Sequence, residues 1–225
     1  LMEEYATDFA EFLLPVGQFG IAIKGGLQFM IHVARASLNR FFKPNQNPSR
    51  VLLFLDIKNM FNSCSRAAVR DELMKHEPFQ PLLPFFDLFY GTTNKCYYFD
   101  HTGQLDHFSL LDDFAQGCPF GPVLSAICFA ILIRQLNPKL EARAKHRKAI
   151  GTSGDDGFGS VPVQASYLDD LTSYLHHDFL QELSALDKPL GIVLNRSKTK
   201  ILTSMTGVPT RLSSFHPPSN LPSIR

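Results

Sequence analysis

Two adjacent carboxylates, Asp169 and Asp170 in the run Ser166-Tyr167-Leu168-Asp169-Asp170, are the residues of this sequence best placed to do chemistry. A mixed run from Val161 to Ala165 leads into them, and a second strand-like run, Leu171 to Leu175, leads out. Val, Tyr and Thr favour strands and Asp favours tight turns, so the segment reads as a β-hairpin with both carboxylates at its tip. Side chains alternate along a strand, so one of the pair serves as the primary ligand and its neighbour supports it. Carboxylates so placed suit a hard divalent cation such as Mg²⁺, which takes one or two of them together with substrate phosphates. An Asp-Asp pair alone is more often a solvated turn. Asp112-Asp113 and Asp155-Asp156 are expected to be exposed loops of that kind, away from the site.

A third acid stands out by what precedes it. Val51-Leu52-Leu53-Phe54-Leu55 is a continuous apolar run ending at Asp56, the pattern of a buried strand that delivers one polar residue at its end. Asp56 and the Asp169-Asp170 pair meet if their strands are neighbours in one sheet. A site with two metal ions about 3.5–4 Å apart requires carboxylates on such neighbouring strands.

The remaining elements must hold these strands. Glu3 to Leu14 carries Tyr5, Phe9, Phe12 and Leu13 at helical spacing and stops at Pro15. A glycine-punctuated segment, Gly17 to Gly26, precedes a second helix over Leu27 to Phe42, and Lys43 to Arg50 is a polar loop. Ser65 caps a helix from Arg66 to His76, with Asp71 and Glu72 expected in its first turns. Phe79 to Tyr90 reads as a short packed helix, and Cys96–Phe99 with Leu105–Leu110 as a hairpin about Asp100 to Gly103. Gln116 to Pro122 opens a buried helix containing Val123 to Ile133, followed by the basic run Lys139 to Lys148, which reads either as a solvated face or as a contact for phosphates. Gly151 to Gly159 is an inserted glycine-rich loop, and His177 to Leu186 is helical. Leu190–Asn195 and Lys200–Thr203 are two closing strands around a turn.

Composition sets the class. At about 150 residues per domain, 225 residues make one to two domains. With 44% hydrophobic and 19% charged residues the chain is an ordinary globular protein. A net charge of +1 gives no bulk signature of nucleic-acid binding, which a local basic groove can still provide. The four cysteines show neither C-x-x-C spacing nor a pattern with the histidines, and read as reduced thiols of an intracellular protein, cytoplasmic or nuclear. Val123 to Ile133 falls short of the ~20 residues of a membrane span, so no membrane partner is expected.

Four of these pieces, in chain order, resemble successive motifs of reverse transcriptases of the non-LTR retrotransposon type: LDIKNMF (Leu55 to Phe61), QGCPFGP (Gln116 to Pro122), YLDD (Tyr167 to Asp170) and LGIVLNRSKTKI (Leu190 to Ile201). GQFGIAIKGG (Gly17 to Gly26) is similar to upstream segments of such element-encoded polymerases, so the resemblance covers Gly17 to Met205. It implies an α+β fold: a right-hand polymerase palm with an antiparallel sheet, a helical and looped fingers region, and no thumb. Residues 1–50 would be fingers-like and 51–205 the palm, with a fingers segment interleaved around 75–115. Residues 206–225 would be a Pro/Ser-rich tail, either disordered or the start of a missing thumb. The chain starts without Met and is expected to be a fragment of something longer.

The implied activity is RNA-directed DNA polymerisation, in which dNTPs are added to a primer 3′-hydroxyl on an RNA template with two Mg²⁺ (or Mn²⁺) ions. A decayed or domesticated nucleic-acid-binding domain is the alternative. By motif position Asp56, Asp169 and Asp170 would be catalytic metal ligands, with the Ile57 carbonyl a further ligand. Phe61 would lie under the incoming sugar and exclude a 2′-hydroxyl. Gln116 and Gly117 would form the turn beside the templating base and the nucleotide. Lys198 would act on the leaving pyrophosphate as general acid or charge stabiliser. Cys118 stands where relatives of this type often carry Asp, at a position that is not a metal ligand.

Overall fold

The computed structural model describes residues 3–41, 50–110, 112–115, 117–149, 163–168, 170–176 and 192–203. In chain order these form α1 (Ala6–Leu13), α2 (Gly26–Phe41), β1 (Arg50–Lys58), α3 (Met60–Ser63), α4 (Arg66–Lys75), α5 (Leu83–Tyr90), β2 (Asn94–Phe99), β3 (Leu105–Leu110), α6 (Gly121–Ala149), β4 (Val163–Tyr167), β5 (Asp170–His176), β6 (Val193–Leu194) and β7 (Lys200–Thr203). The fold is α+β, an antiparallel sheet with helices packed against it.

β1 is the axis of that sheet. β5 pairs along one edge of it, from Arg50 to Asp56, and β4 continues outward from β5. The opposite edge takes β7 over Val51 to Phe54 and β6 over Ile57 and Lys58. Alternation along the strand then sorts its side chains between two faces. Val51, Leu53, Leu55 and Ile57 join the main core with Leu171, Ile201 and the α6 residues Ile127, Ala130 and Ile133. Leu52 lies on the other face with Leu38 of α2, Phe54 and Leu202, in a smaller cluster. Asp56 shares that second, less covered face.

Several expectations are corrected here. The strand does not stop at Asp56, because Ile57 and Lys58 find partners in Leu194 and Val193. The two closing strands do not pair with each other. β6 and β7 lie in line along one edge of β1, interrupted by the turn Asn195 to Thr199. The cap of α4 is as expected: the Ser65 Oγ accepts from the Ala68 N–H at 3.3 Å, and Asp71 and Glu72 lie in the second turn. Phe79 to Tyr90 is two pieces, a 3₁₀ turn Glu77–Leu82 followed by α5, since Pro81 lacks the N–H a continuous helix needs. The buried helix is longer than its apolar run, and Lys139 and Lys145 lie exposed on its second half.

Gly121–Ala142 of α6 is long and apolar enough to cross a membrane, but two thirds of it is buried against the fold, as in the core helix of a globular protein. Polar groups tie the helices together. Arg134 of α6 donates to Glu72 of α4 at 2.7 Å and to the Phe12 carbonyl at 3.1 Å, with its guanidinium 3.9 Å from the Phe12 ring centroid. The glycine-rich loop 151–159, the helix expected over 177–186 and the tail 206–225 lie outside the described residues.

Candidate active site

The register of the sheet places Asp56 directly opposite Asp170. Asp56 donates its N–H to Thr199 Oγ1 at 3.4 Å and accepts at its carbonyl from Asn195 N–H at 2.9 Å, so both backbone groups point away from β5. Asp56 and Asp170 are therefore a non-hydrogen-bonded pair, the closer of the two antiparallel types, with Cα atoms about 4.5 Å apart and side chains on the same face. Like charges directly opposite are destabilising in a sheet. The Oδ1 of Asp56 is also buried with no hydrogen-bond partner. An orphaned carboxylate oxygen opposite a second carboxylate fits a divalent cation, whose charge would satisfy the Asp56 oxygen and offset the like-charge pairing. Among the described residues no cluster of three metal-ligating side chains forms, and Asp169 lies outside them. Ile57 is buried, and strand alternation turns its carbonyl to the β5 side of β1, one residue beyond the Asp56–Asp170 pair.

The hairpin turn is tighter than the sequence suggests. Tyr167 pairs with Asp170, leaving two residues between the strands, so Asp170 starts a strand and is not at the tip. Leu168 opens the turn at φ +54°, a left-handed conformation unusual for a side chain with a Cβ. Gln18, which the sequence reading did not single out, is wholly buried against it. Its Nε2 donates to the Leu168 carbonyl at 3.0 Å, and its Oε1 accepts from the N–H groups of Leu168 at 2.9 Å and Gly20 at 3.0 Å.

On the other edge, the turn Asn195 to Thr199 carries Lys198, one residue before the Thr199 that bonds Asp56. The Asn195 carbonyl and Oδ1 accept from Lys198 N–H, at 3.1 and 3.3 Å, and the Lys198 side chain is exposed next to the Thr199 that holds Asp56. Asn59 at φ +49° turns the chain from β1 into the short α3, which carries Phe61. The Phe61 carbonyl accepts from Phe114 N–H, and a side chain at Gly121 would sit 3.5 Å from its ring. Phe61 thus packs against the loop that enters α6, where Gly117 adopts φ +90°. Gln116 lies outside the described residues.

One expected exposed loop is something else. Asp112 is exposed, but Asp113 is buried and bonded to Arg66, Oδ1 to Nη2 at 2.6 Å. The same guanidinium donates to the Asp113 carbonyl at 2.7 Å and the Thr92 carbonyl at 3.0 Å, and lies over the Tyr90 ring. A second acid in a loop is legible as exposed only if no cation is packed beneath it. Asp155 and Asp156 lie outside the described residues.

No protein-family model matches the chain, and no curated protein matches it in sequence. Its fold is nevertheless found in solved structures. Apo telomerase from Candida tropicalis superposes over 92% of this chain at TM-score 0.56 and 10% identity. The same enzyme truncated from its C-terminal domain superposes over 91% at TM-score 0.58 and 12% identity. Telomerase from Candida albicans, in complex with the TWJ fragment of telomeric RNA, superposes over 91% at TM-score 0.57 and 9% identity. The chain spans 36%, 41% and 35% of those three proteins. The chain has a reverse-transcriptase-like fold, shared with the telomerases.

Proposed function

We propose that the chain is the fingers and palm core of an RNA-directed DNA polymerase of the non-LTR retroelement type. The observation that carries this reading is Asp56 facing Asp170 across the sheet, with a buried carboxylate oxygen lacking any partner. On this reading residues 1–50 are fingers-like and 51–205 are the palm, with an interleaved fingers segment near 75–115. Template RNA, primer DNA and dNTP are the partners, and the protein works inside the cell where these are found.

Asp56, Asp169, Asp170 and the Ile57 carbonyl would hold two Mg²⁺ or Mn²⁺ ions, which when bound lower the pKa of the primer 3′-hydroxyl and stabilise the leaving oxygen. The chain's own residues supply the rest. Phe61 closes the space a 2′-hydroxyl would need, which discriminates dNTP from rNTP by steric exclusion. Gly117, with Gln116 before it, lets the backbone approach the nascent base pair. Lys198 meets the pyrophosphate with a positive charge and a transferable proton.

Primer extension on an RNA template with dNTPs and Mg²⁺ tests the reading. The wild-type protein should extend the primer. Asp169→Asn should abolish extension while keeping primer-template affinity, because the amide preserves shape but removes the charge that holds the cation. Extension by the mutant at the wild-type rate would overturn the assignment. Wild-type binding without extension would favour the nucleic-acid-binding alternative.

A further inference from the structure

The turn between β4 and β5 is held by a segment far away in sequence, Gly17 to Gly20. The backbone contributes first: Ser166 N–H donates to the Gly17 carbonyl at 2.7 Å, and Phe19 N–H donates to the Ser166 carbonyl at 2.8 Å. The Gln18 side chain then continues that pairing by one rung, its amide standing in for a peptide group against both the N–H and the carbonyl of Leu168. A primary amide offers an acceptor and a donor in that arrangement at any pH, whereas a carboxyl does so only when protonated. Glycine at position 20 completes the seat, since a Cβ there would come within 2.7 Å of the Leu168 nitrogen.

We infer that Gln18 is a positioning residue for the acidic turn. It fixes the left-handed Leu168, and through it the strand start at Asp170, at the spacing from Asp56 that the cation needs. This rests on the polymerase reading above and adds to it a residue from the amino-terminal segment. An orphaned carboxylate facing a like charge tends to push the turn open, and a fully satisfied amide clasp opposes that motion.

Three variants and two independent readouts test it. Gln18→Met keeps side-chain length and loses both hydrogen-bonding functions. Gln18→Glu keeps the acceptor and regains a donor only when protonated. Gly20→Ala presses on the Leu168 backbone with Gln18 intact. The readouts are steady-state primer extension with varied Mg²⁺ and dNTP, and calorimetric Mn²⁺ titration, each with thermal melting alongside.

Gln18→Met and Gly20→Ala should lower kcat at least tenfold and raise the half-saturating Mg²⁺ severalfold. KM for dNTP and the Kd for primer-template should stay within twofold, and Mn²⁺ affinity should fall with the Mg²⁺ dependence. Gln18→Glu should recover activity relative to wild type as the pH is lowered, because the neutral carboxyl can donate to the Leu168 carbonyl. Unchanged kcat and unchanged metal dependence in both Gln18→Met and Gly20→Ala would overturn the inference. So would losses that only follow the folded fraction, or failure of both variants to fold, since the clasp would then be a folding element. Absence of extension by the wild type would refute the polymerase reading itself. The Mn²⁺ titration would then decide the Gln18 inference, with no binding to the wild type counting against it.

Discussion

Replacing Asp56 by Asn should make the metal-free protein more stable. Asp56 and Asp170 are opposed in register, and at about 5 Å two unit charges repel by about 3 kcal/mol at an effective dielectric of 20 and about 1 kcal/mol in water. Asp170 is exposed, so screening favours the lower figure. The amide at position 56 removes the repulsion and can donate to the facing carboxylate. About 1 kcal/mol in a chain of this size corresponds to a rise in Tm of about 2–4 °C. The cation effect should reverse. In the wild type, Mg²⁺ or Mn²⁺ at a hundred times its Kd adds about 2.7 kcal/mol, and Asp56→Asn should lose most of that increment. Thermal melting of both proteins in EDTA and in a divalent-cation series measures both effects. A variant that melts below the wild type in EDTA, or shows the same cation-induced rise, would refute the claim that these two acids form a cation site.

Other outcomes follow from neighbouring geometry. Phe61→Ala should raise rNTP incorporation relative to dNTP; an unchanged ratio in a folded, active variant would remove the sugar-gate assignment. Asp113→Ala should destabilise the fold by about 3–5 kcal/mol in chemical denaturation, because Arg66 would be left buried without its counter-charge; a loss under 1 kcal/mol would show that the carbonyls of Asp113 and Thr92 suffice. Burial raises the Glu72 carboxyl, but bonds from His76 and Lys75 and the charges of Lys75 and Arg134 outweigh it and hold its pKa below the ordinary value. Its stabilisation is therefore complete above roughly pH 4.3, the unfolded value, and is lost as pH falls through the lower folded value. Glu72→Gln should flatten the acid limb of a Tm–pH profile, and an unchanged acid limb would contradict the assignment.

The acid-bearing strand was legible because five apolar residues ending in one carboxylate have few other readings. Its continuation through Ile57 and Lys58 was not, since it depends on a partner, β6, supplied by a distant segment. The same limit explains β6 and β7. Their local pattern suits a hairpin, and only the free edge of β1 decides that they lie in line. Asp113 misled because loop composition says nothing about a guanidinium packed from α4. Gln18 carries no periodic signal at all. The flanking Gly17 and Gly20 were the available hint, since glycines so spaced mark a close approach of backbone, but they do not say to what.

The central position of β1 also imposes an order in time. The strand ends at Lys58, yet its partners β5, β6 and β7 all come from Asp170 onward, so it is synthesised well before any of them. At 5–20 residues per second the ribosome needs on the order of ten seconds to deliver them. For that interval an apolar strand waits with both edges unpaired, a template for pairing with other nascent chains. α6 emerges in between and can cover the face of Val51, Leu53 and Leu55, but a helix on the face leaves both edges open. Folding is thus late, non-local and slow for the size of the chain. The polypeptide should engage chaperones that bind extended apolar segments until β5 arrives and forms the acidic pair, and the other edge stays open until β6 and β7 follow.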